Sequence, residues 1–237
     1  VSGLEALLAV QELDTVADQL RHRLGSLPER ARLEATLDQI AAIERETAAT
    51  KERRDAVGRD LKRFEDDVAT IEARIADTDR KMYSGTVTAP RELQAMQDEL
   101  KSLKRRQGVL EDGELELMEQ AEPLDADLLR LSGERVAADE EATRLTAELA
   151  EAEVAIAAEL EHVVARRAED VAAVSPDLLA EYERLRGQLG GIGVARLVAK
   201  SCGGCHLSLS AVEVDRIRHA PAGTVVHCEE CGRILVH

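Results

Sequence analysis

The sequence predicts a mainly α protein, a long antiparallel coiled-coil helical hairpin followed by a small β-rich module that four cysteines close. Three observations predict it. Apolar residues recur in heptad spacing over residues 29 to 165, a cluster of helix breakers interrupts them once at 83–90, and all four cysteines fall after residue 201. A 3.5-residue repeat held in phase this long is the signature of a coiled coil rather than of single helices on a globule.

Composition agrees. The 237 residues include no Trp, two Tyr and one Phe, and 33% are charged, so helices rich in Ala, Glu, Leu and Arg must supply most of the structure. No apolar run approaches the roughly 20 residues of a membrane span, and no signal peptide is recognised, so a soluble cytoplasmic protein is expected. The net charge of −16 is uneven: residues 190–237 carry five Lys/Arg against four Asp/Glu, and the remainder carries −17. Such an acidic body repels phosphate backbones, which confines any nucleic-acid contact to local basic spots.

Taken in order, Leu4 to Leu27 predicts an amphipathic helix with Leu13, Val16, Leu20, Leu24 and Leu27 on one stripe. Gly25-Ser-Leu-Pro28 kinks or ends it, because an internal proline removes a hydrogen bond and clashes with the preceding turn. The first arm then carries Val57, Leu61, Phe64, Val68, Ile71, Ile75, Thr78 and Met82. The second carries Leu93, Met96, Leu100, Leu103, Gln107, Leu110, Glu114 and Leu117, and continues to Ile156. Gly85 and Pro90 mark the tip between them. Folding there predicts opposed residues whose numbers sum to 171: Ile75 with Met96, Ile71 with Leu100, Leu61 with Leu110, Ile40 with Leu131. The same register sets Glu65-Asp66-Asp67 against Lys104-Arg105-Arg106. Arms of about 75–80 residues would reach over about 100 Å at about 1.5 Å per residue.

Ser175-Pro176-Asp177 opens a further helix, with Ser as N-cap and Leu178, Leu179, Tyr182 and Leu185 on its apolar face. Gly187 and Gly190-Gly-Ile-Gly193 then form a loop. The domains expected are therefore a hairpin at 1–174, a connecting helix and glycine-rich loop at 175–193, and a small module at 194–237. Within the module, 194–198, 224–226 and 233–236 are β-prone, and Ser210-Ala-Val-Glu213 is a capping box opening a short helix.

Cys202-Gly-Gly-Cys205 and Cys228-Glu-Glu-Cys231 are two CxxC turns 22 residues apart, the spacing of a structural Zn²⁺ site. Zn²⁺ takes four ligands in a tetrahedron, and four thiolates leave no open position for water, so one structural zinc ion is expected and catalysis at it is not. His206 and His227 flank the pairs as polar neighbours. A module this small lacks a sufficient core and relies on the metal to fold.

With these residues the chain resembles the bacterial C4-type zinc-ribbon proteins that carry an N-terminal coiled-coil hairpin. The likeness rests on Tyr83-Ser-Gly85, Pro90-Arg-Glu-Leu93, Tyr182-Glu-Arg-Leu-Arg186 and the CGGCH and CEECGRIL knuckles. The absence of Asn and the excess of Arg over Lys suggest an actinobacterial member. The resemblance implies metal ligation by Cys202, Cys205, Cys228 and Cys231. It also implies a chaperone-like adaptor, since relatives in flagellar and type III secretion biology bind a sigma factor, transcripts or secretion components.

Two functions follow as expectations. In the first, a non-enzymatic adaptor binds protein partners through the hairpin, with Arg80, Lys81, Tyr83 and Arg91 as the docking residues and the ribbon as recognition head. In the second, the ribbon binds RNA or DNA through Arg196, Lys200, Arg216, Arg218 and Arg233. The ribbon lacks Phe, Tyr and Trp for base stacking, which weakens this reading. No Walker loop, nucleophile elbow or HExxH pattern is present, so no enzyme, catalytic residue or small-molecule substrate is expected.

Overall fold

Prolines set the helix starts. The computed structural model describes residues 3–221 and 223–237; Val1 and Ser2 of the expected hairpin and Ala222 of the expected ribbon lie outside the described residues. Helix α1 spans Gly3–Gly25, α2 Pro28–Tyr83, α3 Pro90–Val171 and α4 Pro176–Gln188. The last three each begin on a proline, whose fixed φ suits the first helical turn and whose missing N–H would be unpaired there anyway. Ser175 holds the N-cap position of α4 with extended backbone but makes no side-chain cap bond. Strands β1 (Val194–Val198) and β2 (Ser201–Cys202), helix α5 (Ala211–Arg218), and strands β3 (Val226–His227) and β4 (Ile234–Val236) complete the order.

The chain divides into two compact units, one made of residues 33–144 and the other of residues up to 32 together with 145–237. The first is the hairpin proper. Its core includes Ile40, Ile43, Leu131 and Ala138, with Val68, Ile71, Thr78, Leu100 and Ala121 buried further along the arms. The cross-helix contacts correct the expected register. Arg74 meets Glu99 at 2.9 Å, Arg54 meets Asp125 at 2.7 Å, Gln107 donates to Glu72 at 3.3 Å, and Arg135 pairs with Glu44. Their numbers sum to 173 once and 179 three times rather than 171, a slide of about one heptad for most of the hairpin. A heptad pattern looks the same after sliding by seven, so it fixes the face and leaves the alignment to the tip, where α2 ends at Tyr83 and α3 begins at Pro90. The expected pairing of Glu65–Asp67 with Lys104–Arg106 is absent among the described residues. Lys62 takes Glu65 and Asp66 within α2 instead.

In the other unit, Leu20 of α1 and Leu27, just before α2, pack with Ile156 of α3, with Leu24, Leu149, Leu160 and Val163 around them. A second cluster joins Leu4, Leu7 and Val10 of α1 to Val174, Tyr182 and Leu185, and to Val194, Ile234 and Val236 of the sheet. The sheet order is β2-β1-β4-β3, with β1 and β4 parallel and both outer pairs antiparallel. Its other face packs on α5 through Ala195, Leu209, Val214, Ile217 and Leu235, together with Cys202 and Cys228. That placement puts the sulfurs at the edge of a small dry core.

Candidate metal centre

Two turns of the same construction present the thiols. In the first, the His206 N–H donates to the Cys202 carbonyl at 2.8 Å and the Cys202 N–H to the Leu207 carbonyl at 3.1 Å. In the second, the Gly232 N–H donates to the Cys228 carbonyl at 2.8 Å and the Cys228 N–H to the Arg233 carbonyl at 2.9 Å. In each the residue after the second cysteine has a left-handed backbone, φ 62° at His206 and 75° at Gly232. Gly232 adopts this at no steric cost, whereas His206 belongs to the few side-chain types that tolerate it.

The four sulfurs lie within 4.8 Å of one another. Cys202 Sγ is 3.9 Å from Cys231 Sγ and Cys205 Sγ 4.0 Å from Cys228 Sγ. A tetrahedron with Zn–S bonds of about 2.3 Å has edges of about 3.8 Å, so the donor set fits Zn²⁺. None of the four is in a disulfide. Burial pushes the Cys228 thiol up to about 12. Burial also opposes ionisation of Cys231, but the backbone and side chain of Arg233 bring it down to about 7. The Gly204 N–H points at Cys202 Sγ from 3.4 Å, the kind of donor that tempers a doubly negative four-thiolate site. Helix α5 braces the second turn. The Ser210 hydroxyl caps it by accepting the Glu213 N–H at 3.1 Å, and the buried Glu213 carboxylate accepts the Glu229 N–H at 3.2 Å.

Comparison with known proteins agrees with this construction. Residues 10–190 match the CT398-like coiled-coil hairpin domain, and residues 201–235 match the C4-type zinc ribbon domain. A Mycobacterium tuberculosis protein is 31% identical over 100% of this chain and 96% of its own length. The chain belongs to the CT398-like coiled-coil hairpin family. A structure from Mycobacterium smegmatis superposes with a TM-score of 0.85 at 26% identity, over 99% of this chain and 97% of that one. CT398 of Chlamydia trachomatis shares the fold at a TM-score of 0.67 and 21% identity, over 98% of this chain and 96% of that one. The CT398-like chain is therefore a hairpin protein with a C4 ribbon that holds one structural zinc ion, and its relatives in sequence are mycobacterial.

The other candidate residues of this CT398-like protein are scattered or engaged. In the ribbon, Arg196 pairs with Glu5 and Arg216 with Glu229, each at 2.9 Å. Arg218 donates to the Ala199 carbonyl, and Arg233 to the carbonyls of Leu189 and Ile192. The Lys200 side chain forms no ion pair among the described residues. His227 meets Glu181 at 3.0 Å. At the tip, Arg80 and Lys81 both reach Asp77, and Arg91 is exposed. Tyr83 is 79% exposed, so it does not close the apolar seam.

A buried polar network went unread in the sequence. Asp14, 4% exposed, accepts the Tyr182 hydroxyl at 2.7 Å and two bonds from Arg167 at 2.6 and 3.0 Å, while Arg186 lies 3.7 Å away. Although burial raises the Asp14 pKa, these partners hold it below the ordinary carboxylate value. Gln11 beside it accepts the Gly193 N–H at 2.8 Å and donates to the Gly191 carbonyl at 2.9 Å. A Cβ on Gly193 would stand 2.7 Å from the Tyr182 carbonyl oxygen, so glycine is required where the loop crosses α4. The network fastens α1, α3, α4 and the approach to β1 to one another. The signal was there in the Tyr182-Glu-Arg-Leu-Arg186 motif, but Gln11 and Asp14 lie outside it.

Proposed function

We propose that this protein is a non-enzymatic cytoplasmic adaptor of chaperone-like character, whose hairpin takes a protein partner at its tip and whose ribbon serves as recognition head. The observation that carries the reading is Tyr83, one of three aromatic residues in the chain, held 79% exposed where α2 ends. An exposed aromatic beside arginine is the residue type that anchors protein interfaces. The metal centre supports a structural role, because four sulfurs fill the coordination of Zn²⁺. No described helix is long and apolar enough to cross a membrane.

The test is a tagged pull-down of the full chain from native lysate, with and without nuclease, alongside Tyr83→Ser and Arg91→Ser. Partners that survive nuclease and are lost from both variants support the adaptor. Recovered RNA, with proteins lost after nuclease and unaffected by the tip variants, moves the function to the ribbon and to Arg196, Lys200, Arg216, Arg218 and Arg233. Affinity for that RNA would fall steeply with salt.

A further inference from the structure

The two flanks of the hairpin are unlike. On one, Arg130 bonds Glu46, Asp127 and Glu134. On the other, a groove of about 420 Å³ lies between the arms over the buried Ile43 and Leu131, lined by Leu128, Ala48 and Val136 and by the paired Glu44 and Arg135. Large apolar side chains continue along this flank of α3 at helical spacing: Leu115, Met118, Leu129 and Val136 are 58%, 55%, 77% and 55% exposed. Polar residues such as Glu122, Asp125 and Ser132 normally occupy these outer positions of a two-stranded coil, and large apolar side chains exposed among them mark a contact. Leu131 and Ile43 are buried in the seam beneath, so the accessible apolar surface is that of Leu128, Leu129 and Val136. The helix around it is acidic: from Glu111 to Glu140, α3 carries eleven Asp/Glu and two Arg. Arg54 and Arg135 are tied to Asp125 and Glu44, while Glu119 and Glu122 form no ion pair among the described residues.

We infer that this flank is a docking groove for an amphipathic helix of a partner protein, with leucine-type residues at i, i+3, i+4 and i+7 and Lys or Arg on either side. Its apolar stripe seats over Leu128, Leu129 and Val136 as a third strand of the coil, and its basic margin meets the α3 carboxylates. A second copy of this acidic chain fits less well, because like charges would face each other along the rim. The inference rests on the adaptor reading and gives it a second surface away from Tyr83.

The test uses a fluorescent Leu/Lys helix of about 18 residues, five turns, a scrambled peptide of the same composition, and a Leu/Glu peptide with the same stripe. Fluorescence anisotropy against the zinc-loaded full chain is expected to show the Leu/Lys helix binding at least tenfold tighter than either control. The pair Leu129→Ser and Val136→Ser should cost at least tenfold, and Val109→Ser, away from the groove, should cost nothing. Glu122→Lys, exposed and harmless to folding, should weaken binding by itself. The groove is overturned if the scrambled or Leu/Glu peptide binds as tightly, if no peptide binds, or if neither the serine pair nor Glu122→Lys weakens binding. The adaptor reading fails separately, when nuclease removes every native partner.

Discussion

The ring of Phe64 lies on Gly113 of the opposite arm, with Cε1 2.4 Å from where a Cβ on residue 113 would stand. The single phenylalanine of the chain is thus accommodated by a glycine in mid-helix. Ala in place of Gly favours an isolated helix by about 1 kcal/mol, but overpacking a fitted contact costs about 1–3 kcal/mol. Gly113→Ala should therefore lower stability by about 1 kcal/mol, and adding Phe64→Leu should turn the loss into a gain. A double-mutant cycle of urea midpoints reads this directly. A stabilised Gly113→Ala single variant would show that the ring moves aside freely.

Removing zinc should collapse the ribbon and spare the hairpin. Chelation, or Cys228→Ser, is expected to erase dispersed amide signals from 194–237 in NMR spectra while most of the helical circular dichroism remains. Zinc release should stop at one ion per chain. His206→Gly should relieve a left-handed strain of roughly 1–2 kcal/mol and raise zinc affinity several-fold. Gly232→Ala should lower it.

Asp14 makes stability depend on acid. Its carboxyl titrates below the ordinary value in the folded state, so its contribution is complete above the unfolded value of about 3.9 and disappears as pH falls through the folded one. Asp14→Ala leaves Arg167 and the Tyr182 hydroxyl without their shared acceptor and Arg186 without a nearby counter-charge, at a cost of about 3–5 kcal/mol. Thermal melts of Asp14→Asn between pH 2 and 7 should lack the steep acid limb of the parent. An unchanged limb would assign it to other carboxylates.

Pro123 sits inside α3 with its side chain exposed. It supplies no N–H to the turn before it, and an internal proline costs about 3 kcal/mol relative to alanine. Pro123→Ala should raise stability by about 1–3 kcal/mol, measured as a shift in urea midpoint. No shift would mean that the surrounding helix has already adapted to the proline.

Most of the fold was legible because its signals are periodic or chemically specific. Heptads named the arms, Pro28, Pro90 and Pro176 set the helix starts, and two CxxC turns located the metal centre. Alignment of the arms was not legible, since Ile71 finds an equally apolar neighbour after every slide of seven, and the matching charges at 65–67 and 104–106 favoured the wrong one. Asp14 was not legible for another reason: its partners Arg167 and Tyr182 lie more than 150 residues away in sequence. The exposed Leu129 and Val136 were also passed over, because they fall between the seam positions that the heptad reading counts.

The parallel pairing of β1 with β4 has a consequence for how the molecule is made. Leu7 of α1 shares a core with Ile234 and Val236, so that core stays incomplete until synthesis has passed residue 236. The arms within 33–144 need only their own local contacts and can zip while translation continues. During that interval the apolar face of α1 has no final partner. Stalling a nascent chain before residue 233 should leave a protease-resistant hairpin beside a cleavable α1, and release past 236 should protect both.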